Sequence, residues 1–201
     1  MEKKRTRKEQ AEMTRTKILD VCRKLLKEHT YEEISIMDIC EEAQISVGAF
    51  YHHFISKDSI VVELYRDIDT TFEEEVFPVL EKYPAAEAVM LYLDKMGEYA
   101  EIYGIDFITN LYKAQMNHGN EFFVSDDRGL PQMLLKLIKR AIEDREMKED
   151  TDAEQLLKDL LVITRGVIYH WCVCGGKVAI RENIRRLAGG YLVSAEQTEN
   201  T

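Results

Sequence analysis

Only three prolines and ten glycines punctuate these 201 residues, and long β-branched runs are missing. With so few breakers and apolar residues recurring every three to four positions, the chain reads as helices throughout. No stretch approaches the ~18–20 uninterrupted apolar residues of a membrane-spanning helix, so no membrane partner is expected. The basic start, MEKKRTRKEQ, has no apolar segment behind it and is not expected to act as a secretory signal. Cys22, Cys40, Cys172 and Cys174 sit inside helical patterns, which fits reduced thiols in a cytoplasm better than a disulfide scaffold. Also absent are H-E-x-x-H, the phosphate-binding G-x-x-x-x-G-K-[ST], G-x-G-x-x-G and an ordered Ser/His/Asp set. No catalytic residue, cofactor or metal is therefore expected, and no enzymatic activity. Cys172 and Cys174 do not alter this. Thiols two residues apart on a helix point about 200° apart and chelate together only if the helix ends at Gly175-Gly176.

The net charge of −10 is unevenly spread. Residues 1–27 hold ten Lys/Arg against four Asp/Glu, whereas residues 58–201 hold sixteen against twenty-seven. An acidic body with a basic tip can bind nucleic acid, because counterion release depends on the charges at the interface. A solvated basic face accounts for the charge equally well.

The first helix is expected from about Lys8 to Glu28, with Ile18, Val21, Cys22, Leu25 and Leu26 on one stripe. Two short helices follow, at roughly 36–43 and 47–53. A long one is expected over 58–81, another from Pro84 to near Gly104, then segments at 105–117, Pro131–Met147, about 152–174 and 178–195. Pro84 and Pro131 suit first-turn positions, where the missing N–H costs nothing. Thr151-Asp152 offers an N-cap.

Residues 35–57, SIMDICEEAQISVGAFYHHFISK, carry the functional signal. Ser35 and Asp38 form a capping-box pattern. Ser46 is a second N-cap only three residues after Ala43, so the helix between must be short. Val47, Phe50 and Phe54, spaced three and four apart, pin the following helix to the core. Gly48, Ala49, Tyr51, His52 and His53 are left more outward. Two short helices across a tight turn, the second with a small-residue N-terminal face, is an arrangement that enters a DNA major groove.

The string resembles the N-terminal domain of the TetR (tetracycline repressor) family of transcriptional regulators. The matching residues are Tyr31, Asp38-Ile39-Cys40, Ala43-Gln44-Ile45-Ser46, Gly48-Ala49-Phe50-Tyr51-His52-His53-Phe54 and Ser56-Lys57. About fifty residues match. Beyond them the likeness is in length, helix number and an R-G-x-x-x-x-W-like stretch at Arg165-Gly166 and Trp171. The family often has glycine where this chain has Thr30 and Gln44, positions that favour left-handed backbone. A β-branched Thr30 is awkward there, so the first connection is expected to be reshaped.

The resemblance implies an all-α fold of about nine helices. Residues 1–57 would be a three-helix helix-turn-helix DNA-binding domain, and residues 58–201 a helical effector-binding and dimerisation domain. It implies a homodimer joined through the two C-terminal helices and bound to a palindromic operator in double-stranded DNA. Ser35 belongs to the DNA-binding set through the first cap. Ser46 would cap the recognition helix and bind a phosphate. Val47, Gly48 and Ala49 would face base edges. Tyr51, His53 and Lys57 would hold phosphates, with His52 reaching a base or the backbone.

Aromatics and methionines crowd residues 92–123. Tyr92, Met96, Tyr99, Tyr103, Phe107 and Tyr112, with His170 and Trp171, are the candidate lining of a pocket for a small apolar or aromatic effector that releases the DNA. Core packing is the competing account of the same side chains. Leu160, Ile163, Val167, Ile168 and Trp171, then Ile184, Leu187, Ala188, Tyr191 and Leu192, form stripes that exceed what one thin body seals, and are the candidate dimer face. The alternative function is a DNA-bound regulator whose body docks a protein and holds no effector pocket.

Overall fold

The computed structural model describes residues 6–118 and 121–193, and every regular element among them is helical. In order these are α1 (Arg7–Glu28), α2 (Ile36–Glu42), α3 (Val47–His53), α4 (Lys57–Thr71), a π turn (Phe72–Val76), α5 (Phe77–Leu80), α6 (Ala85–His118), a 3₁₀ turn (Glu121–Phe123), α7 (Gly129–Glu143), α8 (Ala153–Val173) and α9 (Ile180–Leu192). Residues 194 and 195, the end of the last expected helix, lie outside the described residues, as do residues 1–5.

Two compact units emerge. One comprises the chain up to Arg66 together with Asn110–His118; the other comprises Asp67–Thr109 and the later helices. The linear division after residue 57 thus differs from the spatial one. The last turns of α6 group with the first unit, which no local sequence signal announces.

The first unit is closed by Ile18, Leu19 and Cys22 of α1, Tyr31 and Ile34 of the connection, Ile39 and Cys40 of α2, Phe50 of α3 and Ile60, Val61 and Leu64 of α4, all buried. Leu19, rather than Val21, continues the buried stripe of α1. Lys24 reaches Glu42 at 2.6 Å, tying α1 to α2.

The expected 58–81 helix is interrupted. Phe77 N–H bonds to Phe72 C=O, five residues back, immediately before Pro78. Pro78 has no N–H to continue the α ladder and clashes with the carbonyl four residues earlier, so the helix widens one step before it. The wide turn sends Phe72 into the core of the second unit. There its ring centroid lies 4.9 Å from that of Tyr92 and 5.2 Å from that of Tyr99.

In α6 the backbone leaves helical geometry at Gly104 (φ 81°), where two segments were expected to meet. Only glycine adopts that conformation without strain. Asp94, on the first segment, is 5% exposed and receives Arg181 Nε at 3.0 Å and Arg185 Nε at 2.8 Å. Burial alone would raise the Asp94 pKa, but the bonds from Arg181 and Arg185 overcome this and hold it low. This ion cluster fixes α9 on α6. A second one, Asp69 with the buried Arg128, anchors the start of α7 to the segment after Arg66.

Candidate nucleic-acid interface and effector-binding body

Both short helices begin as their sequences require. Ser35 Oγ accepts from Asp38 N–H at 3.2 Å, and the Asp38 carboxylate accepts from Ser35 N–H at 2.7 Å. The reciprocal bonds hold the Asp38 carboxyl below its usual pKa. Ser46 Oγ accepts from Ala49 N–H at 3.1 Å, capping α3. Between them Gln44 takes φ 51°, and Ile45 N–H returns to Cys40 C=O at 3.0 Å, which satisfies a terminal carbonyl of α2. Gln44 therefore does sit in the left-handed region. Thr30 avoids it. His29 ends α1 in an extended conformation, and Glu33 accepts from both the N–H and the hydroxyl of Thr30. Thr30 thus stays out of the left-handed region, and its two bonds to Glu33 hold the first connection.

α3 has two faces. Phe50 and Phe54 are buried, 6.0 Å apart between ring centroids. Opposite them Val47, Gly48, Tyr51 and His52 are exposed, with Ala49 and His53 half-buried. Val47 was expected both to pin the helix and to face base edges; at 43% exposure it belongs to the outer face. A Cβ built on Gly48 would approach only Ser46 Oγ, at 3.9 Å, so the side of the helix there is open. The result is a low, hydrogen-bond-capped surface flanked by a phenol and two imidazoles. A surface of that shape can approach base edges closely while its polar rim meets phosphates.

Lys57 departs from its expected role. Its ammonium donates to the carbonyls of Tyr31 and Ile34, at 2.7 Å each, and lies 4.0 Å from the centroid of the Tyr31 ring. Two carbonyls and a π face match the three N–H donors of a lysine, which leaves none directed at a phosphate. Tyr31 donates its own hydroxyl to Asp58; burial, then that bond, raise its pKa and keep the phenol protonated. His53 is also qualified. Burial, then the neighbouring His52 and Arg15, pushes its pKa down, which favours the neutral imidazole.

The candidate effector residues separate. Tyr92 is wholly buried and donates to Leu130 C=O at 2.8 Å, so packing accounts for it. Met96, Phe107 and Trp171 are buried, while Tyr99 and Tyr103 are half-buried, with Tyr103 5.1 Å from Phe107 between centroids. Tyr112 lies in the segment that groups with the first unit. His170 is exposed at the end of α8, with Cys174 Sγ 3.5 Å from its Nε2. Cys172 instead bonds to Thr109, and burial raises its thiol pKa. The two cysteines face different neighbours, as their spacing required. The His170–Cys174 pairing was legible in their four-residue separation.

Most of the proposed dimer stripe is consumed within the chain. Leu160, Val167, Ile168, Trp171, Ile184, Ala188 and Leu192 are buried between helices of the same unit. The exposed apolar residues of α8 and α9 are Val162, Tyr169, Val173, Leu187 and Tyr191. A Cβ on Gly166, Gly189 or Gly190 would meet nothing, so those sides are open as well.

Comparison with known proteins agrees with this architecture. The model of the family described as bacterial regulatory proteins, tetR family, matches residues 18–64. The HTH-type transcriptional repressor KstR2 of Rhodococcus jostii (strain RHA1) is 26% identical over 175 residues, 83% of each chain. The HTH-type transcriptional regulator UidR of Escherichia coli (strain K12) is 40% identical over 52 residues, 26% of each chain. Among solved structures, the Thermus thermophilus FadR repressor in complex with lauroyl-CoA shares the fold, with a TM-score of 0.76 and 15% identity. It aligns over 93% of this chain and 97% of that one. The capped helix pair and these comparisons converge: residues 18–64 match the family model of the TetR regulators, and the described chain shares the fold of a TetR-family repressor.

Proposed function

We propose that α3 is the recognition helix of a repressor and that it reads operator DNA with Val47, Gly48 and Ala49 against base edges. Ser35, Ser46, Tyr51, His52 and His53 supply the surrounding phosphate contacts. The observation that carries this reading is the bare side of α3 at Gly48, beside exposed Val47 and Tyr51 and opposite buried Phe50 and Phe54. Gly48→Glu leaves the core untouched and places bulk and negative charge where DNA must come. The expected result is an unchanged melting temperature with operator affinity reduced roughly a hundredfold, about 2.7 kcal/mol. Undiminished affinity would remove α3 from the groove.

The working unit in this reading is a homodimer, because two half-sites must be met together about one helical turn of DNA apart. Val162, Gly166, Tyr169 and Val173 of α8, with Leu187 and Tyr191 of α9, supply the mutual surface. Leu187→Glu should produce monomers with weakened operator binding. A native chain that sediments as a monomer at micromolar concentration contradicts the assembly.

Release by an apolar or aromatic effector completes the proposal. Met96, Tyr99, Tyr103, Phe107 and Trp171 supply the apolar lining. An acyl chain is the first ligand class to test, given the acyl-CoA complex of a protein sharing this fold. Such a ligand acts only through its differential affinity for the DNA-competent and incompetent states. Acyl-CoA compounds and planar aromatics would be titrated while Trp171, the sole tryptophan, reports binding and a labelled duplex reports release. Binding without release would favour another role for the body.

A further inference from the structure

We propose that His170 and Cys174 form a two-ligand site for a zinc-class divalent ion at the C-terminal end of α8. The two side chains lie one turn apart on one face, both reached by solvent, with Cys174 Sγ 3.5 Å from His170 Nε2 and 3.8 Å from Nδ1. An ion bonded to sulfur at ~2.3 Å and to imidazole nitrogen at ~2.05 Å, with a tetrahedral angle between them, holds these atoms ~3.6 Å apart. The pair already stands at that separation. Both ring nitrogens lie within 4 Å of the sulfur. A modest rotation of the exposed imidazole aims Nε2 at a shared ion.

Three features of the surroundings agree. The site lies where the carbonyl end of the α8 dipole favours a cation. Gly175 follows at φ 61° with open space where a Cβ would be, so no side chain there blocks approach. Thiolate with imidazole is a donor set suited to zinc and related borderline ions, and poorly suited to magnesium or calcium. Binding replaces the thiol S–H bond with a sulfur–metal bond and releases one proton to solvent.

No group of three or more metal-type side chains occurs among the described residues, so one chain supplies only these two ligands. Water completes the coordination, or the same pair from a second copy does. The second arrangement has a geometric basis, because Val162, Gly166, His170 and Cys174 form one row at four-residue intervals, and its first two members belong to the open face of α8. Cys172 takes no part, since it is directed to Thr109.

The test is zinc titration of the full-length, chelator-treated protein by calorimetry, with thiol alkylation mapped by mass spectrometry. Expected are binding at about micromolar affinity, protection of Cys174 but not Cys172, and release of about one proton. Cys174→Ser and His170→Ala should each weaken binding tenfold or more, about 1.4 kcal/mol, while Cys172→Ser leaves it intact. One zinc per chain identifies water-completed coordination and one per two chains the paired form; both support the site. Equal zinc affinity in the native, Cys174→Ser and His170→Ala proteins, at unchanged melting temperatures, overturns it. So does native protein that fails to bind at ~100 µM zinc.

Discussion

The ammonium of Lys57 rests 4.0 Å from the centroid of the Tyr31 ring while donating to the carbonyl of the same Tyr31. A residue at the edge of the recognition segment is thereby committed to holding the connection between α1 and α2. Lys57→Ala should destabilise the fold by roughly 1–3 kcal/mol, because two carbonyls lose their donor. Chemical denaturation measures this. The slope of operator affinity against salt should stay within error of the native value, whereas loss of one phosphate contact would lower it by about 0.9. A reduced slope with undiminished stability would return Lys57 to the DNA.

Gln44 occupies a left-handed conformation that costs an L-residue about 1–2 kcal/mol. Glycine removes that cost but adds about 0.5–1 kcal/mol of unfolded-state entropy. Gln44→Gly should therefore stabilise the protein by a few tenths to about 1 kcal/mol, and Gln44→Ile should destabilise it by at least as much. Denaturation midpoints in urea decide the order; a glycine variant less stable than the native chain refutes the argument.

Close packing of α6 on α9 depends on Gly97. A Cβ there would lie 2.8 Å from Ile184 Cδ1 and 3.2 Å from Arg181 Cγ. Alanine gains about 1 kcal/mol of helix propensity but overpacks a buried contact, which typically costs about 1–3 kcal/mol. The expected net change for Gly97→Ala is a loss of about 1 kcal/mol. Ile184→Val removes the clashing methyl, so the double variant should be more stable than the sum of its single changes allows.

In the proposed operator complex, His53 should make binding sensitive to pH. Its folded pKa lies below the ordinary value of 6.5, so the unfolded chain takes up a proton first as pH falls. The stability His53 contributes is present above about pH 6.5 and is lost as pH drops towards its folded pKa. A nearby phosphate reverses the preference, since it raises the His53 pKa in the complex. Binding then takes up a proton, and affinity should rise as pH is lowered through neutrality. His53→Gln should flatten that rise. Equal pH dependence in both proteins would exclude a phosphate at His53.

The sequence by itself determined the helix pair and its caps. Ser35 with Asp38, and Ser46 with Ala49, act within four residues, so local composition carries the complete instruction. The same holds for Phe50 and Phe54 facing inward, and for the break at Gly104. The π turn before Pro78 also has a local cause, a missing N–H acting on the residues just before it, but the apolar periodicity over 58–81 ran through it as one helix. Only the tertiary structure decided which of several equivalent donors or apolar stripes was used. Lys57 has the same chemistry whether it faces a phosphate or two carbonyls, and the fold of residues 31–34 beneath it makes the choice. The long apolar stripes of α8 and α9 likewise carry no mark of their partner. Burial of Leu160, Val167 and Ile184 inside the chain leaves Val162, Tyr169 and Val173 as the outer face. Periodicity shows that a helix has an apolar side; which surface covers it depends on residues distant in sequence, and is settled only when those helices pack.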